Sequence, residues 1–145
     1  MELLSTKARG DIAEYRVVAE LLERGHTVLM PCGDRLPYDV GIDVDGRLVR
    51  VQVRRAWSTK GTKGGSYKID VRRSQTNRKI WKHTKHGPRN YDFLIAWIPG
   101  TPTFYVIPAK VASKYASGIT FNDDPSRRTR ALPYRNAWKL LGKTG

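Results

Sequence analysis

Residues 37–54 read PYDVGIDVDGRLVRVQVR, two alternating apolar runs separated by Asp45-Gly46. A tight two-residue loop needs positive φ, which Asp and Gly tolerate, so the dipeptide predicts a β-hairpin. With that loop, Val44 faces Arg47, Ile42 faces Val49 and Val40 faces Val51. Side chains alternate along a strand, so Val40, Ile42, Val49, Val51 and Val53 share one apolar face. The other face then sets Asp39 directly opposite Gln52, with Arg50 and Arg54 on either side of Gln52. Directly opposed residues have Cβ atoms roughly 4.5–5.5 Å apart, close enough for their side chains to share a metal ion. A bulged three-residue loop would shift the pairing by one and break this arrangement.

The hairpin opens a basic stretch. The 145 residues carry 27 Lys and Arg against 13 Asp and Glu, a net charge of +14. Such a balance points to a polyanionic partner, and nucleic acid is favoured over a membrane surface because no basic amphipathic helix is evident. From Arg50 to Arg89 the only acid is Asp70. The candidate DNA contacts are Arg50, Arg55, Lys60, Lys63, Lys68, Arg72, Arg73, Arg78, Lys79, Lys82 and Lys85. The glycines of residues 57–66 make a loop able to follow a phosphate backbone, not the phosphate-binding loop of a nucleotide hydrolase, which needs a Lys-Ser/Thr opening a helix.

Length predicts one domain, residues 1–145, with a core large enough to fold without disulfides. No run of about 18 apolar residues and no secretory signal is present, so no membrane span is expected. Cys32 is alone, which fits a reducing cytoplasm and excludes a Cys-based zinc site; it reads as a small buried hydrophobe.

Around the hairpin, Ser5 or Thr6 caps a helix that runs to about residue 24 and stops at Gly25. Its charged face holds Arg9, Arg16, Glu20 and Glu23, whereas Glu14 points toward the apolar side. A carboxylate directed inward needs a positive partner, either a basic side chain or a metal. Residues 26–30 form a short strand, followed by a turn-rich loop with Asp34. Residues 67–72 alternate as a half-buried strand. The polar residues 74–90 contain Trp81, which either stacks on a base or anchors the core. His83 and His86 have a spacing that suits a metal on a helix, but no further ligands accompany them. Two strongly β-forming runs, 91–98 and 103–108, join through a Pro-Gly-Thr-Pro turn. A short helix is expected over 109–117, and Tyr134, Trp138 and Leu141 fall at the spacing of a last helix docked on the core.

An acid after a proline, a hairpin, then an acid or Gln two residues before a basic residue resembles the signature of the PD-(D/E)XK nuclease superfamily. Pro37, Asp39, Gln52 and Arg54 carry the match, which extends from the helix at residues 10–22 to the strand ending near Pro108. Gln in place of the second acid is most similar to the homing endonuclease branch, with the archaeal Holliday-junction resolvases next. The resemblance implies an α/β fold with a restriction-endonuclease-like core, a mixed β-sheet flanked by helices. It implies a metal-dependent DNA endonuclease acting on double-stranded DNA with Mg2+, or Mn2+ as substitute. Asp39, Gln52, the Val53 carbonyl and Glu14 are then the metal ligands, and Glu14, Asp39, Gln52 and Arg54 the catalytic set. Cutting two strands with one site per chain implies a homodimer or homotetramer. The departure is Arg54, where the family has Lys: a guanidinium grips phosphate but does not act as a base. A structure-selective junction nuclease and a catalytically inactive DNA-binding module are the alternatives.

Overall fold

In the computed structural model the hairpin forms in the expected register. The chain forms helix α1 (Thr6–Glu23), then strands β1 (Thr27–Leu29), β2 (Val40–Val44), β3 (Arg47–Arg55), β4 (Trp57–Ser58) and β5 (Ser66–Asp70). After these come β6 (Arg72–Asn77), β7 (Ile80–Lys85), β8 (Phe93–Trp97), β9 (Phe104–Pro108), helix α2 (Ala109–Ala112) and β10 (Gly118–Asn122). The structure describes residues 3–33, 35–59, 65–77, 80–85, 89–115 and 117–142, with 72–77 and 80–85 described by backbone alone. In the β2–β3 pair, Val40 faces Val51, Ile42 faces Val49 and Val44 faces Arg47. Asp45 and Gly46 turn the chain at φ of 53° and 80°, both in the left-handed region that this loop type demands. Asp43, on the polar face, accepts a hydrogen bond from the Gly46 N–H at 2.7 Å and so braces the turn.

Five strands in the order β1-β2-β3-β8-β9 make a mixed sheet. Only β3 and β8 run parallel; the other pairs are antiparallel. The apolar row Val40, Ile42, Val49, Val51 and Val53 is buried against Ala13, Val17 and Leu21 of α1. Those helix residues recur every four positions, which places them on one side of the helix. Burying each such side chain is worth about 1.5–3 kcal/mol. A one-residue slip of β3 would drive Arg50, Gln52 and Arg54 under the helix, so the core itself fixes the polar row on the other face. The Ser5 hydroxyl caps α1 by accepting from the Ala8 N–H at 3.1 Å, and Gly25 ends it at φ 86°.

The opposite face of the sheet packs on a second sheet, ordered β10-β5-β4. Leu94, Ala96, Tyr105 and Ile107 of the main sheet share this core with Ile69, Ile119 and Phe121. Strand β10 was not foreseen, because its pairing with β5 joins segments about fifty residues apart. The C-terminal helix expected from Tyr134, Trp138 and Leu141 is instead two 3-10 turns, Leu132–Tyr134 and Trp138–Leu141. Asn136 interrupts it at φ 49° and pairs with Phe104 of β9 in both directions, donating at 2.7 Å and accepting at 2.9 Å. Trp138 and Leu141 are buried all the same. The helix expected over 109–117 is cut to Ala109–Ala112.

Residues 72–77 and 80–85 pair as an antiparallel ribbon, with Arg72 facing Lys85 and Gln75 facing Lys82. His83 therefore lies on a strand and not on the helix its spacing with His86 would require. Cys32 is exposed, which corrects the expectation that it is a buried hydrophobe. His86 and Asp34 lie outside the described residues. Among the described residues no helix is long and apolar enough to cross a membrane.

Candidate active site

The polar row of the hairpin lies where β2 ends and β3 continues alone. The Asp39 N–H donates to the Val51 carbonyl at 2.9 Å, the last backbone bond of the pair. Two residues farther along β3, the Val53 N–H points to the same side of the strand. Its partner there is the Asp39 carboxylate, whose Oδ2 accepts at 2.8 Å. The Asp39 side chain thus takes over from the backbone and is fixed in place while remaining half-buried.

Gln52 lies on β3 between Val51 and Val53, the two residues that Asp39 engages, and is 4% exposed. Its Oε1 is buried and has no hydrogen-bond partner among the described residues. An unpartnered buried amide oxygen costs about 1–3 kcal/mol. His26 Nδ1 and Trp138 Nε1 are buried in the same way, and Gln52 is set apart from them by standing on β3 close to the Asp39 carboxylate. Asp39, Gln52 and the Val53 carbonyl offer hard oxygen donors only, the donor type that Mg2+ and Mn2+ prefer. The residues therefore fit a divalent cation. Among the described residues no three His, Cys, Asp or Glu side chains cluster as a metal site, and in this candidate set Asp39 is the single acid.

Arg54 is held between the two sheets. Its Nε donates to the Asp70 carbonyl at the end of β5, and its Nη1 to the Val53 carbonyl, both at 3.0 Å. Tyr91 is fully buried nearby; burial pushes its phenol up, and the positive charge of Arg54 works against that shift. Glu14 is half-buried on α1. That helix covers the apolar face of β3, so Glu14 stands on the other side of the strand from Gln52 and Arg54.

The basic residues separate into distinct surroundings. Arg50 is engaged by Asp92: its backbone N–H donates to Oδ2 at 2.7 Å, and Nε and Nη2 reach the two carboxylate oxygens at 3.2 Å each. Its Nη1 donates to the Arg89 carbonyl at 2.7 Å. Asp92 is the residue that sequence reasoning missed, since nothing local links it to a partner 42 positions away. Arg55 has the parity of Val53 and lines a cavity with Arg9, Ile12 and Trp97 on the α1 side. Lys68 lies across Gly118, where β5 meets β10. Arg72, Arg73, Lys82 and Lys85 belong to the β6–β7 ribbon. Lys60, Lys63, Arg78 and Lys79 lie outside the described residues.

Partial burial pushes the Asp92 carboxyl up, but hydrogen bonds from the Arg50 side chain and backbone outweigh it and hold Asp92 below the usual carboxylate range. The unfolded chain then takes up this proton first as pH falls. The stabilisation is complete above about pH 4 and is lost as pH drops through the depressed folded value. Asp92→Asn should accordingly lower stability near neutrality and flatten the acid limb. Thermal midpoints from neutral pH down to about pH 2 check this; an unchanged acid limb would remove Asp92 as its cause.

A model of the PD-(D/E)XK endonuclease family matches residues 4–141. A solved bacterial homing endonuclease, I-Ssp6803I, is 38% identical, with a TM-score of 0.85 over 95% of this chain and 93% of that one. Among curated proteins none matches. The likeness spans α1, the hairpin with its polar row and both sheets, and on that basis the chain belongs to the PD-(D/E)XK endonuclease family.

Proposed function

We propose that this protein is a single-domain, Mg2+-dependent endonuclease that hydrolyses phosphodiester bonds of double-stranded DNA at a defined site, as a homing-type enzyme. The observation that carries the reading is the buried, unpartnered Gln52 Oε1 on β3, between Val51 and Val53, the two residues that Asp39 engages. Asp39, Gln52 and the Val53 carbonyl would hold the ion, with Glu14 contributing from the helix side through water or a second ion. A bound Mg2+, or Mn2+ in its place, supplies charge neutralisation and a water of lowered pKa. The chain's own groups do the rest. Asp39 brings negative charge beside Gln52, and its hydrogen bond to Val53 keeps the carboxylate aimed along β3. Arg54 is permanently charged, so it stabilises negative charge on the phosphate and takes no proton.

The basic ribbon β6–β7 is of a shape that the major groove admits, and its register brings Arg72 opposite Lys85. Cutting both strands with one site per chain calls for two copies, as a homodimer or a homotetramer. The exposed Cys32 thiol fits a reducing, cytoplasmic setting.

Supercoiled plasmid and a synthetic four-way junction, each incubated with Mg2+, Mn2+ or EDTA, test the proposal. Metal-dependent cutting of duplex is expected. Cutting confined to the junction would favour a resolvase-like enzyme, and binding without cutting an inactive module. Duplex affinity should fall with salt at a log–log slope of about −0.9 for each phosphate contacted. A flat salt response would exclude the basic stretch as the DNA contact.

A further inference from the structure

The Val53 carbonyl has two claimants. It is the backbone oxygen on the Asp39 side of β3 and so a donor available to a cation held by Asp39 and Gln52. In the structure, however, it accepts a hydrogen bond from Arg54 Nη1 at 3.0 Å. The guanidinium is not loosely placed there. Its Nε is tied at 3.0 Å to the carbonyl of Asp70, the last residue of β5 and two before Arg72 opens the basic ribbon. A planar fork can hold two carbonyls at once from two different nitrogens, whereas Lys has a single nitrogen to offer. A guanidinium and a divalent cation on one oxygen also repel each other. The cation has one carboxylate and one neutral amide drawing it in, without the second negative charge that would outweigh a charge-assisted hydrogen bond.

We infer that Arg54, besides its role at the phosphate, screens the metal site until DNA arrives. Without DNA the guanidinium occupies the Val53 carbonyl and holds the cation off. A DNA phosphate draws the guanidinium away, the carbonyl is released, and metal and DNA bind cooperatively. Linkage makes the effect reciprocal: the cation tightens DNA binding by the same factor that DNA tightens the cation. The inference rests on the metal site proposed above. It adds a reason why Arg is found where the family has Lys: the screening suppresses metal loading in the absence of the substrate.

The test is Mn2+ binding, followed by the electron paramagnetic resonance signal of the free ion. The full chain, Arg54→Lys, Arg54→Ala and Asp39→Asn are titrated alone and with a phosphorothioate duplex that resists cleavage. The natural chain should bind Mn2+ weakly alone and at least tenfold more tightly with duplex. Arg54→Lys, which keeps the charge, should bind Mn2+ about ten- to a hundredfold more tightly without DNA, the equilibrium equivalent of one hydrogen bond to a charged group, and gain little from duplex. Equal affinity and equal DNA gain in Arg54→Lys and the natural chain would overturn the inference. So would a gain in Arg54→Ala alone, which is a charge effect without screening. Asp39→Asn should lose the ion under every condition. If no protein shows Asp39-dependent Mn2+ binding even with DNA, the metal site itself is wrong, and the inference falls with it.

Discussion

Asp39→Asn is expected to reduce DNA cleavage by at least about a thousandfold while leaving the fold intact. The reason for choosing Asn lies in the geometry. Asp39 Oδ2 accepts the Val53 N–H at 2.8 Å, and an Asn side-chain oxygen can keep that bond while the charge is removed. The loss then reports on charge alone. Asp39→Ala strips the acceptor as well and leaves a backbone N–H without its partner, which costs about 1–3 kcal/mol of stability. Ala and Asn should therefore be equally inactive but differ in thermal midpoint. Cleavage by the Asn variant at the natural rate, measured on duplex DNA at saturating Mg2+, would take Asp39 out of the chemistry.

Gln52→Leu carries the second large effect, and its two readouts move in opposite directions. The Gln52 Oε1 is buried without a partner, so its desolvation is uncompensated in the apo chain. Leu is of similar size and removes that cost, with Leu94 of β8 beside it in register. Stability should rise by about 1–3 kcal/mol in urea unfolding. Cleavage should fall by about 10²–10³, the usual consequence of removing one polar group that acts on the reacting centre. A residue retained only for packing would give no such divergence. If stability and cleavage fall together, Gln52 supports the fold and is not a ligand.

The hairpin was legible because its determinants are local. Asp45-Gly46 fixes the loop, and alternation fixes the faces. A core of five valines and isoleucines then makes any other register costly. Those facts alone bring Asp39 to the end of the hairpin beside Val51 and Val53, on either side of Gln52. Helix α1 was readable for the same reason, from a cap, a glycine stop and a four-residue apolar repeat. What could not be read were the long-range partners. Nothing near Arg50 announces Asp92, the acid just before β8 with which its guanidinium pairs. Arg54 was assigned from the motif, but its contact with Asp70 depends on a second sheet built when the segment 118–122 pairs with β5. That segment, GITFN, carries the β-forming Ile119, Thr120 and Phe121, but it is short and sits before a turn rich in Asp and Pro, so its pattern alone does not name β5 as its partner. The C-terminal turns were misjudged because helical spacing of Trp138 and Leu141 also suits 3-10 geometry. Only the Asn136 bonds to β9 decide between the two.

The site itself is tested most directly by anomalous diffraction from crystals of the protein grown with duplex DNA and Mn2+. A manganese peak is expected at the free end of the hairpin, contacted by the Asp39 carboxylate and Gln52 Oε1, with the Arg54 guanidinium turned from the Val53 carbonyl to a phosphate. Manganese bound elsewhere on the chain, with DNA in place and the Asp39–Gln52 position empty, would contradict it.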